Sequence, residues 1–163
     1  MKDDLSHQSL EWFSWTGSRV PYLDAPTTTC RGKIVIGRYG GCSAAGAAKN
    51  EDGALVLSGS GWEFTAILDS HSSGESVDLL ATTLEAEGAS IAEALDSPLS
   101  TAFAALQEHI LGLFRSAAFR ARCANVRGET ACLLCARKEG FVWWLSIGDC
   151  LVYLLHPDLA RLK

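Results

Sequence analysis

The apolar residues of this chain change their period twice. From Lys33 to Asp69 they fall into short β-branched runs bounded by glycine; from Val77 to Ala117 they recur every three or four residues; beyond Gly128 they return to short runs. Strands, then helices, then strands exclude the alternating pattern of a doubly wound parallel sheet. The order predicts an α+β fold, an antiparallel sheet with helices segregated to one side.

The first run is Lys33–Arg38 (KIVIGR), followed by a loop of small residues and a second strand over Ala54–Leu57. After SGSG at 58–61, Trp62–Leu68 forms a third strand ending on Asp69. Ser72 followed three residues later by Glu75 reads as a capping box, and Val77, Leu80 and Leu84 carry a helix to near Gly88. A second helix enters after Pro98, with Leu99, Phe103, Leu106, Ile110, Leu113, Phe114 and Ala117 on one face. Three strands are predicted beyond it: Ala131–Ala136, Phe141–Ile147 and Leu151–Leu155, the last two joined at Gly148 and Asp149. Residues 1–32 keep no steady period and carry Trp12, Phe13, Trp15 and Tyr22 among Gly17, Pro21 and Pro26. They read as an aromatic-anchored arm laid on a domain of residues 33–163.

Composition narrows the function classes. With 48% hydrophobic residues the chain is too apolar to be disordered, and a net charge of −5 is the wrong sign for a polybasic nucleic-acid binder. The start, Met1-Lys2-Asp3-Asp4, lacks an apolar signal segment, which reads as cytoplasmic. The longest apolar run, Phe141–Ile147, is far short of the roughly 20 residues that span a bilayer, so no membrane partner is expected. In that compartment the six cysteines read as reduced, buried thiols.

A hairpin turn centred on Gly59 and Ser60 pairs residues whose numbers sum to 119 or 120, which sets Glu51 across from Leu68 or Asp69. Like charges on opposed strands destabilise each other unless a cation sits between them, and oxygen ligands select Mg²⁺, Mn²⁺ or Ca²⁺ over softer metals. Spacing alone favours the plainer reading, in which Asp52-Gly53 is a turn and Asp69 a solvated strand end.

The joint pattern of motifs carries more. The runs GRYGGCSAAGAAKNEDG (37–53), WEFTAILDSHSSGES (62–76), GETACLL (128–134) and LSIGDCLVYLL (145–155) resemble the metal-dependent type-2C serine/threonine protein phosphatases. That family has, in this order, an Asn-Glu-Asp run, a strand ending in Asp-Gly-His-Gly, a Gly-Ser-Thr-Ala strand start and a Gly-Asp-Ser turn. The resemblance implies an antiparallel β-sandwich flanked by helices in αββα layers, here lacking the C-terminal strands. It implies two Mn²⁺ or Mg²⁺ ions in a complete domain. Glu51 takes the place of a ligand of one metal, Asp69 that of the bridging carboxylate, and the Ser70 carbonyl that of the family's glycine carbonyl. His71 matches the histidine that serves as general acid, and Asp149 the aspartate near the metals. The activity implied is hydrolysis of phosphoserine and phosphothreonine on proteins by a metal-activated water.

The departures are specific. The family places an arginine shortly before Asn-Glu-Asp to grip phosphate; here Ala47 and Ala48 occupy that stretch and Lys49 is the nearest cation. Cys150 replaces the last motif's serine, and two further metal-binding aspartates of the family fall beyond Lys163. Activity is therefore expected to need a further C-terminal region. The alternative is a pseudophosphatase that binds a phosphoprotein or another partner without turning it over.

Other groups read as structural. Cys132 and Cys135 lie about 10 Å apart on an extended strand, near opposite faces, unsuited to one disulfide or one metal. His7, His109 and His156 stand apart from further ligands, and the glycine-rich loop lacks the Gly-Lys-Ser/Thr ending of a P-loop.

Overall fold

The computed structural model describes residues 10–158 and 161; His7 and the first part of the expected arm lie outside these. The chain runs through β1 (Glu11–Thr16), β2 (Thr27–Arg31), β3 (Ile34–Arg38), β4 (Gly53–Gly59) and β5 (Trp62–His71). Four helices follow: α1 (Glu75–Ala86), α2 (Gly88–Asp96), α3 (Leu99–Arg115) and α4 (Ala117–Cys123). The strands β6 (Glu129–Lys138) and β7 (Phe141–Ile147) come last. One antiparallel sheet has the order β1-β4-β5-β6-β7, and β2 and β3 pair separately. The fold is α+β, and no described helix is long and apolar enough to cross a membrane.

Alternation decides which side chains meet the helices. Leu55 and Leu57 on β4, Phe64, Ala66 and Leu68 on β5, and Cys132, Leu134 and Ala136 on β6 form the sheet half of the main core. Val77 and Leu84 of α1, Ile91 and Leu95 of α2, and Leu106 and Ile110 of α3 close it from above. Each such aliphatic side chain contributes about 1.5–3 kcal/mol relative to exposure. Two polar contacts tie the far end of the sheet to α2. The Trp62 indole donates to Asp96 Oδ1 at 2.6 Å, and the buried Lys138 ammonium donates to the Leu95 and Ser97 carbonyls at 2.6 and 2.9 Å. Lys138 thereby caps carbonyls left open at the C-terminal end of that helix.

Among the described residues, the opposite face of the sheet is covered at one end only. Trp15, Ala54 and Val56 pack there against Ile36 of β3. The Arg38 guanidinium stacks over the rings of Phe13, Trp15 and Tyr22 at 5.3, 5.6 and 4.7 Å. Further along, Ile67, Val142 and Trp144 are exposed.

Four expectations change. Residues 11–16 are a strand of the main sheet rather than part of a surface arm; the consecutive aromatics Trp12 and Phe13 hide its alternation by packing on opposite faces. Ser72 is no helix cap: its φ of 78° turns the chain before α1, and the Glu75 carboxylate instead takes the Arg127 backbone N–H at 3.0 Å and its guanidinium. Leu151–Leu155 forms no strand. Gly148 (φ 97°) and Asp149 carry the chain off β7, the Ser146 hydroxyl donates to the Cys150 carbonyl at 3.0 Å, and Leu155 is 90% exposed. Of the thiols only Cys132 is fully buried, with its pKa pushed up by burial to about 12, while Cys30, Cys42 and Cys123 are exposed.

Candidate functional site

The β4–β5 turn is Ser60-Gly61, with Gly61 at φ 81°, a conformation glycine adopts without strain. Gly59 pairs with Trp62, so partners sum to 121, and the last pair is Gly53 with Leu68. One step further, Asp52 stands across from Asp69. The expectation sets Glu51 across from Leu68 or Asp69; Leu68 instead faces Gly53, and for Asp69 the correction from Glu51 to Asp52 is one of parity. Shifting a strand by one residue moves every side chain to the other face. Asp52 shares the face of Ala54 and Val56, as Asp69 shares that of Ile67, and both acids line one groove on the face away from the helices. The groove holds about 660 Å³.

The chain entering β4 is anchored on both sides of Asp52. Asn50 is buried; its side-chain amide donates to the Pro21 carbonyl at 3.1 Å and its oxygen accepts the Asp52 N–H at 3.0 Å. The Asp52 carbonyl accepts the Gly17 N–H at 2.7 Å. Gly17 packs so closely on Asn50 that a Cβ would overlap the Asn50 backbone. Burial, followed by the charge of Asp69 and then of Glu51, holds the Asp52 carboxyl above the ordinary aspartate range; a hydrogen bond from the Ser70 backbone N–H works the other way.

The remaining expected residues fall around this pair. The Glu51 carboxylate accepts from Lys49 Nζ at 2.6 Å, and Lys49 also reaches the Ser72 carbonyl at 3.3 Å. Lys49 is therefore matched by an acid of its own chain. Asp69 and His71 share one face of β5, with Oδ1 and Nδ1 3.8 Å apart and the imidazole 74% exposed. Ser70 points to the helix side, its hydroxyl within 2.8 and 2.9 Å of the Ser73 and Glu129 carbonyls. Asp149 is exposed beyond β7, and its neighbour Cys150 is the residue that lines the groove. Burial, Asp69, Asp149 and Asp52, in that order, raise the Cys150 pKa, so this thiol is held neutral beside three acids.

Sequence reasoning missed Asp52 and Cys150. The signal for Asp52 was the choice of turn: placing Gly61, rather than Gly59, at the loop position that favours a positive φ gives the observed register. The donors at the site are hard oxygens, and Mg²⁺ commonly takes one or two carboxylates and completes its shell with water. Asp52 and Asp69 fit that requirement. Among the described residues no group of three His, Cys, Asp or Glu is placed to hold one ion.

The chain matches no protein-family model, no curated protein and no solved structure.

Proposed function

We propose that this chain carries the metal-binding part of a cytoplasmic phosphoserine/phosphothreonine protein phosphatase of the two-metal type. In this reading the exposed sheet face is the inner face of an αββα sandwich, whose second sheet and further metal ligands are not among the described residues. The observation that carries the reading is the opposition of Asp52 and Asp69, two carboxylates whose repulsion a divalent cation would relieve. Held by Asp52 and Asp69, Mn²⁺ or Mg²⁺ would supply Lewis-acid stabilisation and activate a water at neutral pH.

The chain's own groups take the other roles. Asp69 and Asp52 would supply the charge that fixes the cation, and the resemblance adds Glu51, the Ser70 carbonyl and Asp149 as further candidates. His71, exposed and next to Asp69, is placed to protonate the leaving serine or threonine alkoxide. No side chain of the site forms a covalent intermediate in this scheme. Lys49 offers little grip on phosphate, because Glu51 already neutralises it.

Two observations favour the second reading, a pseudophosphatase that binds a phosphoprotein without hydrolysing it. Lys49 is paired, and Arg38 is enclosed by three aromatic rings rather than directed at the acids. Hydrolysis of a phosphoserine peptide and of p-nitrophenyl phosphate with Mn²⁺ separates the two. Turnover by this chain, or by one extended C-terminally, that disappears in Asp69→Ala supports the enzyme. Metal-dependent peptide binding without turnover supports the binding module.

A further inference from the structure

On the helix side of the sheet, between α1, α4 and the start of β6, lies a cavity of about 270 Å³. Its walls are apolar, formed by Leu79, Leu80, Phe114, Phe119, Val126 and Ile147. The Phe114 and Phe119 rings stack there at 5.2 Å. Two hydroxyl-bearing residues, Ser76 and Thr130, line the same space. An apolar cavity of about 150 Å³ accepts a benzene ring, so this one has room for a fused pair of rings.

The hydroxyls specify what the rings must carry. Thr130 Oγ1 donates to Ser76 Oγ at 2.6 Å, Ser76 Oγ lies 3.1 Å from Ser70 Oγ, and Ser70 donates to the carbonyl of Ser73 or Glu129. A hydroxyl has one proton to give and two lone pairs with which to accept. The Ser70 proton goes to a carbonyl and the Thr130 proton to Ser76, which leaves the Ser76 proton for Ser70. The relay thus runs one way, from Thr130 to the backbone, and all three protons are used within it. None of them points at Thr130, and among the described residues Thr130 Oγ1 accepts no hydrogen bond, which leaves its lone pairs for a ligand in the cavity that Thr130 lines.

We propose that this cavity is a binding site for a small aromatic molecule bearing one hydrogen-bond donor, which it gives to Thr130 Oγ1. A ligand with only an acceptor finds no free proton in the relay. A ligand with neither group gains only the apolar contact. The site is separate from the acid pair, and it stands or falls independently of the phosphatase reading.

The test compares 2-naphthol with 2-methoxynaphthalene, nearly the same in shape but lacking the donor, by titration of the full chain followed by ligand fluorescence and amide NMR shifts. The expected result is about fivefold tighter binding of 2-naphthol, the value of one ordinary hydrogen bond. Shifts should centre on Ser76, Phe119 and Thr130. Thr130→Val, which keeps the β-branched shape on β6, should make the two ligands bind alike, and Val126→Trp should exclude both. Should Thr130→Val not fold, the comparison of the two ligands on the unaltered chain decides alone. Equal affinity for the two ligands, shifts located elsewhere, or no binding of 2-naphthol up to its solubility overturns the proposal.

Discussion

Asp52 stands across from Asp69 one step beyond the last rung of the β4–β5 ladder, and burial together with the charge of Asp69 holds its carboxyl above the ordinary aspartate pKa. The anchoring of Asn50 and Gly17 on either side keeps the two acids together.

This shift has a signed consequence for stability. The folded protein holds the Asp52 proton to higher pH than the unfolded chain, whose value is near 3.8. The contribution of neutral Asp52 to stability is therefore fully present below pH 3.8 and is lost as pH rises through the folded pKa. At pH 7 without divalent ions, Asp52→Asn should raise Tm, and the gain should vanish below pH 3.8. Thermal unfolding of both proteins across this range checks it. A lower Tm for the variant at pH 7 contradicts the account.

How much of this was legible in the sequence depends on what each residue reports. The helix stripe through Leu106 and Ile110 and the strands around Phe64 and Leu134 announce themselves, because burial on one face imposes a period. The register does not: a pairing sum of 120 instead of 121 exchanges Asp52 for Glu51 opposite Asp69 while leaving every strand recognisable. Leu151–Leu155 failed for another reason. Five apolar residues satisfy strand composition, but pairing with β7 depends on the turn at Gly148, and the chain leaves the sheet there. The resemblance pointed to Asp69 and its surroundings; the geometry adds Asp52 and Cys150.

Removing the Lys138 ammonium tests the tie between β6 and α2. Lys138→Met keeps the stem but strands two carbonyls at the end of α2. The expected cost is about 2–3 kcal/mol, as for buried partners of a charged donor. Urea unfolding should show a lower midpoint with an unchanged slope.

Two leucines on either side of Gly148 should respond in opposite ways. Leu134 is fully buried in the main core, and Leu134→Ala should cost about 2–5 kcal/mol. Leu155 is 90% exposed, and Leu155→Ala should fall within about 0.5 kcal/mol of no change. A large loss at Leu155 in urea unfolding would mean that the segment packs as a strand after all.

The central claim is that the opposed carboxylates of Asp52 and Asp69 form a hard-cation site. It is tested most directly by titrating Mn²⁺ into the protein and following free Mn²⁺ by its electron paramagnetic resonance signal. With two carboxylates and water for ligands, the expected Kd is about millimolar. Asp52→Asn and Asp69→Asn, each nearly isosteric, should weaken binding at least about tenfold, the loss expected when one of two charged ligands is removed. Binding that is equally tight in both variants would place the cation elsewhere and contradict the account.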